Sequence, residues 1–186
     1  MPTISEICGL DMRTIFLWTL ASAMILADDS GKPSYASNGE MHIPVNYRQW
    51  QFAGSNLGIG YSDPTANSKP GSFKNIYIRP DAYKAFKETG KFPDKTMLVM
   101  EVFTAGEKAS PAKTGYFEEK LLGIEVAVKD ETKFPEEKWA YYNFIGKEKA
   151  LPTAKAFPKN SCWSCHNEHA SVDNVFVQFY PVLRDK

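Results

Sequence analysis

The run Cys162-Trp163-Ser164-Cys165-His166 constrains this chain more than any other stretch of it. Two thiols with two residues between them, and a histidine directly after the second, make the C-x-x-C-H attachment pattern of c-type haem. The spacing has a chemical reason. Both thiols can add to the two vinyl groups of one porphyrin, and the histidine is then carried beneath the iron as its proximal ligand. A fold that accepts this motif must enclose a macrocycle, and the remaining residues control what reaches the metal.

Two other chemistries use similar residues. A thiol redox pair also reads C-x-x-C, but it normally opens a helix after a strand in a βαβ unit. Here Leu151 to Ser161 is rich in Pro and Lys and shows no strand pattern. A zinc site could draw on Cys162, Cys165, His166 and His169, yet zinc usually takes ligands from two separated pairs. The remaining cysteine and histidine, Cys8 and His42, form no second pair. One covalently attached haem c is therefore the expectation.

Covalent haem attachment in bacteria occurs outside the cytoplasm, so an export signal is expected. Arg13 precedes the apolar run Thr14 to Ala27, about the length of a signal-peptide core and short for a bilayer span. Small residues suited to cleavage stand at Ala21-Ser22-Ala23 and at Ala27, and the polar run Asp28-Asp29-Ser30 follows. The expectation is a signal peptide over residues 1–27, cleaved near Ala27, and a periplasmic protein with no membrane span. Met12-Arg13 offers an alternative start, and an uncleaved anchor is the competing reading. Losing Glu6, Asp11 and Arg13 leaves 21 basic and 20 acidic residues, a net charge of +1. That balance argues against a nucleic-acid partner and against strong attraction to a membrane surface.

The 159 residues after Ala27 suffice for one domain with its own core. Residues 28–43 read as a flexible N-terminal arm and 44–186 as a single haem-binding domain. Tyr47 to Phe52 opens that domain, and Ser55 to Ser72, rich in Gly, Pro, Asn and Ser, reads as a long loop. Alternation predicts strands over Phe73–Ile78, Thr96–Thr104, Gly115–Lys129 (broken near Glu118) and Trp139–Ile145. Pro80-Asp81 starts a helix that Gly90 ends. A second helix carries the haem motif, capped by Ser161 or Asn160, and the apolar stretch Asp173 to Leu183 closes the chain. Small electron-carrying haem c proteins are mostly helical, with the motif near the N-terminus. A late motif behind several strands fits neither them nor a four-helix bundle.

Several stretches resemble the cytochrome P-460 family, which includes the β-rich cytochromes c′-beta. They are Pro44 to Trp50, Tyr77 to Pro80, Thr89-Gly90-Lys91-Phe92, Gly115-Tyr116-Phe117, Gly123-Ile124-Glu125 and Trp139 to Tyr142. The most specific is the tail, where C-W-S-C-H-N-E-H is followed by Val175-Phe176-Val177-Gln178-Phe179-Tyr180-Pro181-Val182-Leu183-Arg184. The resemblance implies an α+β domain, mostly antiparallel β-sheet with a few helices, often a homodimer. It implies haem on Cys162 and Cys165, with His166 proximal and the sixth position open or weakly filled. Members with a haem–lysine cross-link oxidise hydroxylamine; those without it bind nitric oxide or carbon monoxide in an apolar pocket.

At the cross-linking position this chain has Met100, and no lysine lies between Met97 and Phe103. A thioether cannot form the amine–porphyrin bond. Glu125 matches a pocket carboxylate that relays protons in enzyme members, and Lys74 stands where catalytic members have an arginine. Phe73 and Phe103 are candidates to cap the iron sterically, with core packing as the alternative for each. Three functions follow as expectations. The first is binding of nitric oxide or a related small ligand at a five-coordinate iron. The second is turnover of hydroxylamine or peroxide using Glu125 and Lys74. The third is electron transfer to a redox partner protein, with Met100 as sixth ligand.

Overall fold

The computed structural model describes residues 31–60, 70–147 and 149–185; the signal segment expected over 1–27 lies outside them. The elements follow in the order β1 (Met41–His42), β2 (Gln51–Leu57), β3 (Ser72–Ile78), α1 (Pro80–Thr89), β4 (Met97–Glu107), β5 (Tyr116–Lys129), β6 (Trp139–Asn143), β7 (Thr153–Ala154), α2 (Cys162–His169) and α3 (Pro181–Arg184). Strands β2 to β6 pair antiparallel in chain order, and β1 pairs with β7 in a separate two-stranded ribbon. This is the expected α+β architecture, a mostly antiparallel sheet with three helices.

Alternation along the central strands decides the layers, because successive side chains point to opposite faces. In register, Ile76 stands opposite Met100 and Met100 opposite Glu125. One face of the sheet therefore carries Lys74, Ile76, Leu98, Met100, Val102 and Glu125. The other carries Tyr77, Met97, Val99, Glu101, Ile124 and Val126. Both faces are covered. Ile76, Ile78, Leu98 and Tyr141 pack with Phe86 of α1 and with Val175, Val177 and Leu183 of the tail. Met97, Val99, Ile124, Val126 and Val128 pack with Met41, Tyr142 and Phe144. Each fully buried aliphatic or aromatic side chain here contributes about 1.5–3 kcal/mol.

Local signals explain α1. Pro80 sits at its start, where a missing N–H costs nothing, and Ala82 and Phe86 bury one stripe. Gly90, at φ 71°, ends it with its amide on the Phe86 carbonyl. The tail crosses β2 at Gly54, where a Cβ would make ordinary van der Waals contact, 3.4 Å from Cδ of Pro181.

Tertiary pairing alters several expectations. The described part of the 28–43 segment is not a loose arm. Tyr35 Oη donates to Asp130 at 2.9 Å, and Met41, 1% exposed, pairs with Ala154. That pairing also makes a short strand inside the Pro- and Lys-rich stretch before the haem motif. Strand β2 runs on through Gly54, Ser55 and Asn56 to Leu57, since pairing with β3 outweighs their poor strand propensity. The expected break near Glu118 takes the form of register irregularities against β4 around Phe103, while β5 itself continues. Among the described residues no helix is long and apolar enough to cross a membrane.

Candidate haem site

Positions three and four apart share one face of a helix. On α2 this brings Cys162, Cys165 and His166 together, and all three line a cavity of about 610 Å³. Small-molecule and cofactor sites span about 300–1,000 Å³. Ser161 takes the N-cap position, as expected, but its hydroxyl makes no capping bond. The helix is instead secured from the side. Trp163 Nε1 donates to the Glu137 carbonyl at 2.9 Å, and Lys159 pairs with the Glu137 carboxylate at 2.8 Å.

The environment of His166 suits a metal ligand. Its Nδ1 lies 2.8 Å from the Asn174 carbonyl oxygen. A carbonyl only accepts, so Nδ1 carries the hydrogen and Nε2 keeps its lone pair. The ring lies between Tyr141 and Phe176, with centroids 4.3 and 4.5 Å away. Burial lowers the imidazole pKa below its ordinary value, against the opposing pull of the Asn174 hydrogen bond. The neutral, ligating form is thus the one present at neutral pH.

The competing chemistries fit less well. Burial, followed by the charges of Glu125 and Cys165, pushes the Cys162 thiol up, whereas a redox C-x-x-C works through a lowered thiol. No group of three His, Cys, Asp or Glu among the described residues is placed to hold a lone metal ion.

Lys74, Ile76, Leu98, Met100, Val102, Glu125 and Ala127 form the sheet wall of the cavity. Glu125 is half-buried and accepts no hydrogen bond from a described residue. Burial raises its carboxyl above the ordinary range, and the Lys74 charge opposes that rise. Burial lowers the Lys74 ammonium, which donates to the Ile59 carbonyl at 3.0 Å. Gly123, two residues before Glu125, has to be small: a Cβ there would fall 1.7 Å from Ile145 Cγ1.

Six of the eight expected site residues thus meet at one cavity. Phe73 and Phe103 do not. They stand opposite each other in the β3–β4 register, on the Tyr77 and Glu101 face, and neither lines the cavity. The two-residue period of the strands turns them away from the cavity.

The lining also holds residues that sequence reasoning passed over: Asn56, Tyr141, Asn174 and Phe176. Alternation in Trp139-Ala140-Tyr141 could have assigned Tyr141 a face; the others had no local signal. Asn56 Oδ1 and Asn174 Nδ2 are buried without a hydrogen-bond partner among the described residues. Orphaned polar atoms lining a cavity mark a place that a further group completes. The paired thiols, the oriented neutral imidazole and the size of the space all fit a haem.

The family model described as Cytochrome P460 matches residues 44–177. No curated protein matches the chain. The matched span runs from just before β2 through the thiols and His166 into the tail that covers them, and the chain belongs to the cytochrome P460 family, whose members bind haem.

Proposed function

We propose that this chain is an exported monohaem c-type cytochrome that binds nitric oxide or a related small ligand at the iron. Cys162 and Cys165 would hold the haem through thioether bonds, and His166 Nε2 would be its proximal ligand. Bound haem supplies an iron that can take a small ligand or change oxidation state. The observation that carries the reading is the sheet wall of the cavity, where Ile76, Leu98, Met100 and Val102 gather. These four side chains disfavour water and hydrated anions and suit neutral diatomic molecules, with Lys74 and Glu125 sharing the same wall. Met100 in the middle of it supplies no amine for a cross-link. Optical spectra of the ferric and ferrous protein, with and without nitric oxide, test this. A high-spin resting spectrum that changes on adding nitric oxide is expected. A low-spin spectrum that does not respond would overturn the reading.

A second reading rests on Glu125. A carboxyl with a raised pKa, no hydrogen-bond donor among the described residues and a lysine nearby is suited to passing protons to a bound substrate. Hydroxylamine or peroxide turnover with an electron acceptor, lost in Glu125→Ala, would support it. Turnover no greater than that of free haem would exclude it. Export with cleavage near Ala27 and assembly as a homodimer belong to the same proposal. The mass of the mature N-terminus and sedimentation of the purified protein test these two points.

A further inference from the structure

Behind His166 the chain makes a turn whose geometry the haem motif does not explain. Val172 and Val175 pair across two residues, with the Val175 amide donating to the Val172 carbonyl at 2.8 Å. Asp173 and Asn174 both have positive φ, 42° and 61°. This is the type I′ arrangement, which Asp and Asn tolerate better than most residues. The turn aims the Asn174 carbonyl at the site, where it accepts from His166 Nδ1 at 2.8 Å and from Tyr141 Oη at 3.2 Å.

The neighbouring Asp173 is held from the sheet. Its Oδ2 accepts from Lys129 Nζ at 2.8 Å and its Oδ1 from Trp139 Nε1 at 3.1 Å. Lys129 and Trp139 are a cross-strand pair at the adjoining ends of β5 and β6. Both are buried, and the Lys129 ammonium is itself fixed by a 2.8 Å bond to the Phe92 carbonyl. One pair of residues on the rigid sheet therefore grips both oxygens of the carboxylate next to the His166 acceptor.

We propose that Asp173 is a positioning residue for the proximal histidine. Anchored by Lys129 and Trp139, it sets the aim of the Asn174 carbonyl and hence how strongly His166 donates to the iron. This rests on the reading of His166 as the iron's ligand. The physical link is the steep dependence of a hydrogen bond on alignment. A well-aligned Nδ1–H bond makes the opposite nitrogen a stronger base, and such outer partners tune metal sites. If the anchor merely stapled the tail to the sheet, its loss would lower stability and leave the iron–histidine bond unchanged.

The test uses the haem-loaded protein. Asp173→Gly keeps a residue suited to the turn and removes the anchor, Lys129→Met breaks the anchor from its other end, and Asp173→Asn keeps a neutral acceptor. The readouts are the iron–histidine stretching band of the ferrous protein by resonance Raman and the midpoint potential. In Asp173→Gly and Lys129→Met the band is expected to fall in frequency and the potential to rise, with Asp173→Asn in between. An unmoved band and potential in both, whatever happens to the melting temperature, would overturn the proposal. If neither folds, Trp139→Phe removes a single donor and keeps a ring, and an unmoved band there overturns it equally. Absence of the band from ferrous protein whose optical spectrum is five-coordinate and high-spin would overturn the ligand reading itself, and this inference with it.

Discussion

Two glutamates flank Met100, and the sheet gives them opposite surroundings. Glu101, the next residue in β4, faces the back of the sheet and is 2% exposed. Its Oε1 accepts from Tyr47 Oη and Arg48 Nε, each at 2.7 Å, and its Oε2 from Tyr77 Oη at 3.2 Å. Glu125, across from Met100 in β5, faces the cavity and accepts from no described residue. Glu101 is the more deeply buried, yet both of its oxygens already accept hydrogen bonds. Glu125 accepts no hydrogen bond from the described residues, holds its proton more tightly than usual and has space in front of it. Burial alone thus fails to distinguish a structural acid from one available for chemistry; the state of its hydrogen bonds does so.

The contrast can be broken by substitution on either face. Glu101→Ala should have the largest effect. It leaves the Tyr47 and Tyr77 hydroxyls without their acceptor, at about 1–3 kcal/mol for a buried orphaned group. Chemical denaturation should record that loss while nitric oxide binding stays the same. Altered binding at full stability would reverse the roles assigned to the two faces. Gly123→Ala should cost a similar or smaller amount, about 1–3 kcal/mol for overpacking against Ile145, and should also disturb the cavity wall next to Glu125. A normal melting temperature would show that Ile145 simply moves aside.

Met100→Leu conserves volume and should cost less than about 1.5 kcal/mol, with the resting spectrum unchanged. Disappearance of a sulfur-to-iron band in this variant would instead establish Met100 as the sixth ligand. The smallest stability change is expected for Glu125→Gln, within about 1 kcal/mol, and it should appear as a change in pH dependence. A carboxyl raised in the native state binds its proton more tightly there than in the unfolded chain. Its contribution to stability is therefore fully present below the ordinary carboxylate range and lost as pH rises through the raised value. The glutamine variant should lack that loss in denaturation curves taken across pH. Parallel curves for the two proteins would show that the cavity does not perturb Glu125.

Much of this molecule could be read locally. Pro80, Phe86 and Gly90 specify α1 within a single stretch of chain. Alternation in Met97 to Phe103 separates Leu98, Met100 and Val102 from Val99 and Glu101. What alternation could not say is which apolar stripe faces the cavity, because both faces of the sheet bury a core. For that reason alternation left Phe73 and Phe103 open between the cavity and core packing, and Met41 gave no local signal because its partner, Ala154, lies far along the chain.

The sequence by itself determined the chemistry offered to the cavity. The Cys162, Cys165 and His166 spacing puts three groups on one helical face, and the residue type at position 100 decides whether that point of the sheet wall carries an amine. Only the tertiary structure decided how that chemistry is held. Asn174 reaches His166 through a turn, Tyr141 arrives from β6 and Asp173 is gripped from the ends of two strands. Hydrogen bonds and ring contacts form between atoms brought near in space, and separation along the chain carries no record of them.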